Sequence, residues 1–136
     1  MRDSPGRYLG HVDIDVRTDT LRRAYRFFND RAIDDLFVLM TEDVRWPDVA
    51  HGSVLHGKDA IRRYWTSQFE MADPQVLPTD IFTAGTDLVA VVDQRILDHQ
   101  GQLLAPATTV FHRYTFRGPL ISQMVVFASG DEAAKL

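Results

Sequence analysis

The chain of 136 residues contains no cysteine. That excludes disulfides, thiolate nucleophiles and zinc–thiolate centres, and it suits a reducing compartment. Long apolar runs are also missing. The longest, "LVAVV" at 88–92, falls far short of a membrane span. The opening "MRDSPGRYLGHVDID" has no apolar stretch of the signal-peptide kind. Together these give a cytoplasmic expectation with no membrane partner. A clustered basic face is lacking as well. The net charge is −4, and Arg22, Arg23, Arg26, Arg62 and Arg63 are interleaved with acids, the pattern of solvated helix faces. Nucleic acid is therefore not an expected partner. No internal repeat or low-complexity tract is visible.

What is present is an ordinary globular balance, 45% hydrophobic and 25% charged, in a chain of single-domain length. The first half has helical periodicity. Leu21, Ala24, Tyr25 and Phe28 recur at i, i+3, i+4, i+7, with Thr18 or Asp19 as a candidate N-cap. Ile33, Leu36, Phe37 and Met40 repeat the spacing after a break around Asn29–Arg31. A short strand, Val44–Trp46, is expected to stop at Pro47. A third helix follows Gly57, with Ile61, Tyr64, Trp65 and Gln68 on one stripe. The second half reads as strands over about 76–83, 87–98, 103–116 and 120–128. Pro106 marks a bulge or an edge, so the third run can begin at Ala107. Helices followed by an antiparallel meander predict an α+β fold. The domain is expected over 18–129, with an irregular arm over 1–17 and a tail over 130–136. "DLVAVVDQ" is apolar on both faces, so the strand needs a second cover. Inward curvature or a partner subunit would supply it, and a homodimer is expected on this ground.

Three stretches carry a resemblance: "FFNDRAIDDLFVLMTEDVRW", "GSVLHGKDAIRRYW" and "VFHRYTFRGPLISQMVVF". In this order they resemble the nuclear-transport-factor-2-like superfamily, in its SnoaL-like or ketosteroid-isomerase-like branch, over roughly 18–128. The resemblance implies a cone, with three helices packed on a curved antiparallel sheet around one apolar pocket, usually in a dimer. It also implies what this chain does without. Trp46 stands where the isomerases keep a general-base aspartate, and indole cannot act as that base. Ala24 stands at the place of the oxyanion tyrosine, with Tyr25 one residue away and so turned by about 100°. His112 replaces the second oxyanion donor. For the epoxide-hydrolase-like and cyclase-like branches, Arg95 matches an arginine, but Leu97 and Val126 stand where acids are expected.

His112 is the leading catalytic candidate. It alternates with Val110, Tyr114 and Phe116 on a pocket-facing row, and imidazole donates, accepts and titrates near neutrality. A core histidine bonded to backbone is the plain alternative. Asp48 is the second catalytic candidate, as a rim carboxylate, with an Asx-turn or a cap on the loop after Pro47 the favoured reading. His51 and His56 lie five apart near Asp48, but no third ligand is convincingly placed, so no metal is expected. Trp46, Tyr25, Tyr64, Trp65, Tyr114, Met124 and His51 are the expected pocket residues. Asp93 and Arg95 read as a solvated or interface pair. Two functions follow. One is a cofactor-free isomerase, dehydratase or cyclase acting on a hydrophobic ring compound. The other is a non-catalytic module binding an apolar small molecule or a partner chain.

Overall fold

A computed structural model describes residues 5–136, with side chains from residue 14 onward. In chain order the elements are α1 (Pro5–Asn29), α2 (Ile33–Val38), β1 (Met40–Asp48), β2 (Ser53–His56), α3 (Lys58–Met71), β3 (Asp73–Ala84), β4 (Asp87–Leu97), β5 (Thr108–Arg117), β6 (Leu120–Phe127) and α4 (Gly130–Ala133). The six strands form one sheet in the order β2-β1-β6-β5-β4-β3. The long strands form the expected meander. β1 instead pairs parallel to β6 and antiparallel to β2, so the sheet is mixed rather than wholly antiparallel. Register breaks at Met40/Arg45, Pro78/Asp80 and Thr115/Phe116 curl it without closing it. Among the described residues no helix is long and apolar enough to cross a membrane.

The predicted stripes are the ones that pack. Leu21, Ala24 and Tyr25 of α1, Leu36 and Phe37 of α2, and Ile61 and Trp65 of α3 are buried against Val44, Leu88, Ala90, Val92, Tyr114, Ile121 and Met124 of the sheet. Fully buried aliphatics such as Leu21, Ile61 and Ile121 each contribute roughly 1.5–3 kcal/mol by leaving water.

The element ends differ from expectation for local reasons. Residues 5–17 of the expected arm belong to α1, and residues 1–4 lie outside the described residues. Proline is well suited to a first helical position, where no N–H is needed. Ile14 and Val16 are 43% and 42% exposed, so residues 14–17 show no buried stripe that would announce the helix. Thr18 lies inside the helix and is no cap; its hydroxyl donates to the Ile14 carbonyl at 2.8 Å. The break falls where expected, at Arg31 with φ 60. There Arg31 donates to the Phe28 and Pro74 carbonyls and pairs with Asp73, tying the α1–α2 turn to the start of β3. α2 ends at Val38, and Met40 opens β1. β1 runs through Pro47, which pairs with Val54 beyond the last β6 partner, at Arg45, where the ladder demands no N–H. The predicted loop after Pro47 is thus a hairpin whose second strand, β2, is too short and exposed to show alternation.

The tail is also built into the domain. Ser129 caps α4 by accepting from the Glu132 amide at 3.1 Å. Ala133 is buried with Ala84 and Val89 on the outer sheet face, packed by Phe82, Phe111 and Phe127. Arg113 fastens this segment, donating to Asp87 at 2.8 Å and to the Ala133 carbonyl at 3.1 Å. Part of the second cover for β4 therefore comes from the chain's own C-terminal segment.

Candidate functional site

The curled sheet and the three main helices enclose a cavity of about 400 Å³. α1 contributes Ala24, Tyr25 and Phe28, and α3 contributes Tyr64, Trp65, Gln68 and Phe69. β4 presents Gln94 and Ile96, β5 presents Val110, His112 and Tyr114, and β6 presents Met124 and Val126. The β1–β2 hairpin forms the mouth with Trp46, Pro47, Val49 and Ala50. Trp65 anchors the aromatic wall, with ring centroids 5.4 Å from Phe28, 5.7 Å from Phe37 and 5.5 Å from Trp46. No Asp, Glu, Lys or Arg lines the cavity among the described residues.

Its polar centre is a three-residue chain. The Tyr114 hydroxyl donates to the Tyr25 hydroxyl at 2.7 Å, and Tyr25 Oη lies 2.8 Å from His112 Nδ1. All three are buried, with Tyr114 2%, Tyr25 4% and His112 7% exposed. One direction of donation leaves only the His112 Nε2–H without a protein acceptor, and His112 lines the cavity, where a ligand can supply one. Tyr114 gives its proton to Tyr25, Tyr25 gives its own to Nδ1, and His112 carries its proton on Nε2. Reversed, the Tyr114 proton would have no protein acceptor, at the full cost of desolvating it. Burial also keeps all three neutral. It lowers His112 from 6.5 to about 4 and pushes both phenols up, Tyr25 further through Tyr114. Nδ1 is occupied and Nε2 has no protein partner among the described residues, so the ring offers a ligand one N–H donor.

This protonation state links the site to stability. The folded protein holds His112 neutral down to about pH 4, whereas the unfolded ring titrates near 6.5. Between those values the unfolded chain binds the extra proton. The contribution is therefore complete above pH 6.5 and is lost as pH falls toward 4, on the order of 3 kcal/mol in all. Urea unfolding at pH 7.0 and pH 4.5 should show a smaller decline for His112→Gln than for the native chain. Equal declines would place the titrating group elsewhere.

The other expected residues divide cleanly. Trp46, Tyr64, Trp65, Tyr114 and Met124 line the cavity. Tyr25 does too, against the expectation from its one-residue offset. The buried face of α1 is wide enough for Ala24 and Tyr25 together, and the longer side chain reaches the sheet. Asp48 and His51 are not in the wall. Asp48 Oδ1 accepts from the His51 amide at 3.1 Å, three residues on, and Oδ2 lies 2.9 Å from His51 Nδ1. The carboxylate therefore caps the loop after Pro47 rather than forming an Asx-turn, whose bond reaches only two residues on. Of the two helpers expected for His112, Asp48 or a tyrosine, the structure brings the tyrosine, Tyr25, to the ring. Asp48 still acts on the mouth, since its charge adds to burial in raising Tyr64. The His51 side chain is 77% exposed, and no cluster of three or more metal-ligating His, Asp or Glu side chains forms among the described residues. Arg95 is exposed and bonds Asp93 at 3.2 Å, away from the wall. Val126 pairs with His112 and lines the cavity, so the position expected to hold an acid is apolar. Gln94 was not anticipated. Its signal is the alternation Leu88, Ala90, Val92, Gln94, Ile96 on one strand face.

The family model described as a SnoaL-like domain matches residues 21–124. No curated protein matches the chain. Among solved structures, an NTF2-like protein of unknown function from Burkholderia pseudomallei is similar at TM-score 0.71 and 18% identity, covering 86% of this chain and 93% of that one. TerC, co-crystallised with polyporic acid, superposes at TM-score 0.72 and 16% identity, over 86% of this chain and 94% of its own. SalBIII, an epoxide hydrolase/cyclase-like enzyme with a role in pyran ring formation in the polyether salinomycin, gives 0.70 and 20%, over 88% and 95%. At these identities the likeness establishes a shared fold.

Proposed function

The chain belongs to the SnoaL-like domain family, and on that premise we propose that its cavity takes an apolar, ring-containing small molecule and that His112 acts on one oxygen of it. The reaction class is that of an isomerase, dehydratase or cyclase. The observation that carries this reading is the Tyr114–Tyr25–His112 chain, which ends in a neutral N–H donor at an apolar wall. Such a donor stabilises negative charge developing on a carbonyl or enolate-like oxygen, and low polarity strengthens the bond. Both phenols are held above their ordinary range, so the relay keeps its protons. His112 then works as a hydrogen-bond donor rather than as a proton source. A cavity of about 400 Å³ with aromatic walls suits a flat ligand. The named neighbours, one bound to polyporic acid and one forming a pyran ring, are consistent with ring chemistry.

The absence of any carboxylate from the described wall favours a second reading, a non-catalytic binding module. Native mass spectrometry of the purified protein, followed by incubation with whatever compound it retains, separates the two. Conversion to an isomer, or to a product lighter by one water, supports the enzyme. A compound retained unchanged, with affinity dependent on His112, supports the binding module. An oxygen-free aliphatic ligand overturns the role of His112 in both. A cytoplasmic location and a homodimer remain part of the proposal. The dimer would use the outer sheet face around Val125, which is 37% exposed, and light scattering at twice the 15.5 kDa chain mass checks it.

A further inference from the structure

Two other polar side chains in the wall have no protein partner among the described residues. Gln68 lies in the last turn of α3, and Gln94 lies on the inward row of β4 between buried Val92 and half-buried Ile96. The remaining half-buried side-chain amides are all engaged. Asn29 pairs both ways with the Val76 backbone, Gln75 donates to Asp73, and Gln123 accepts from Arg45. Gln68 and Gln94 alone among these amides make no such bond among the described residues, and both line the cavity.

Their place relative to His112 follows from the register. His112 pairs with Ala90 and Gln94 pairs with Val76, four residues further along the same face of β4. That spacing is roughly 13 Å along the strand. Gln68 reaches the same end from the opposite side, where α3 turns through Ala72 directly into β3. This end is held firmly. His99 Nε2 lies 2.9 Å from the Phe69 carbonyl, and the Arg31 guanidinium stacks 4.2 Å from the Phe69 ring centroid.

Building on the proposed role of His112, we infer that the ligand is a rigid ring compound with an oxygen at each end, one on His112 and the other on the Gln68–Gln94 amides. An amide both donates and accepts, so the far group is an uncharged hydroxyl or carbonyl. A carboxylate there would meet no cation in the described wall. Bridging both ends fixes the direction in which an otherwise featureless apolar ligand enters.

Isothermal titration with 4,4′-biphenol and with 4-phenylphenol tests this. The two probes share a two-ring frame and differ in one terminal hydroxyl. The native protein should bind the diol about tenfold tighter. In the Gln68→Leu/Gln94→Leu double variant the two should bind alike. Loss of affinity for both probes in His112→Ala is the matching result for the near end. If His112→Ala weakens both probes but the diol preference is missing or survives the double variant, the inference about the far end fails and the role of His112 stands. If His112→Ala alters neither, or neither probe binds, both fall.

Discussion

A His112→Ala variant is expected to turn over the compound recovered from the cavity about 10²-fold more slowly, with its fold intact, because it removes the N–H donor proposed to meet the reacting oxygen. The effect should fall on kcat more than on KM, since the bond strengthens as charge develops on the ligand oxygen. Tyr25→Phe should lose less but in the same direction. It leaves Nδ1 without its donor, so the ring no longer has its proton fixed on Nε2, and it strands the Tyr114 hydroxyl. Steady-state kinetics on the three proteins, with far-UV circular dichroism as the fold control, checks the order native, Tyr25→Phe, His112→Ala. Full turnover in His112→Ala would remove the imidazole from the mechanism.

The second large effect concerns the wall. Trp65→Ala should destabilise the domain by about 3–5 kcal/mol, because the indole is 4% exposed and three aromatic rings rest on it. Phe28, Phe37 and Trp46 sit on different elements, so collapse into the vacated space would have to move α1, α2 and β1 together. The midpoint of urea unfolding measures the loss. Indole added to the variant should recover part of it by filling the space, while leaving the native midpoint unmoved. A loss below about 1 kcal/mol would show that the wall closes over the gap.

These residues also show what sequence reading reaches. Leu21, Ala24, Tyr25 and Phe28 were legible because this face of α1 packs into the core over two turns. His112 was legible because strict alternation on β5 leaves each side chain only two faces to choose between. Which group bonds His112, Asp48 or a tyrosine, was not, since Tyr25 lies 87 residues away and only the closed fold brings the rings together. "RWPDVAHG" shows the reverse case. Its close-set Asp48 and His51 look like chemistry in one dimension, yet they satisfy each other in a turn beside the cavity mouth. The hairpin strand β2 and helix α4 escaped notice because segments of four residues carry no period. Gln94 escaped because a glutamine among strand apolars looks like an interruption until the cavity is seen.

Burial holds His112 neutral, and the tyrosine chain fixes its one proton on Nε2. Long-range ¹H–¹⁵N correlation of the imidazole at pH 7 and pH 5, assigned by comparison with His112→Gln, measures this directly. The account predicts a protonated, pyrrole-type Nε2 and an unprotonated, pyridine-type Nδ1, unchanged between the two pH values. An Nδ1–H tautomer, or an imidazolium already formed at pH 5, would contradict it.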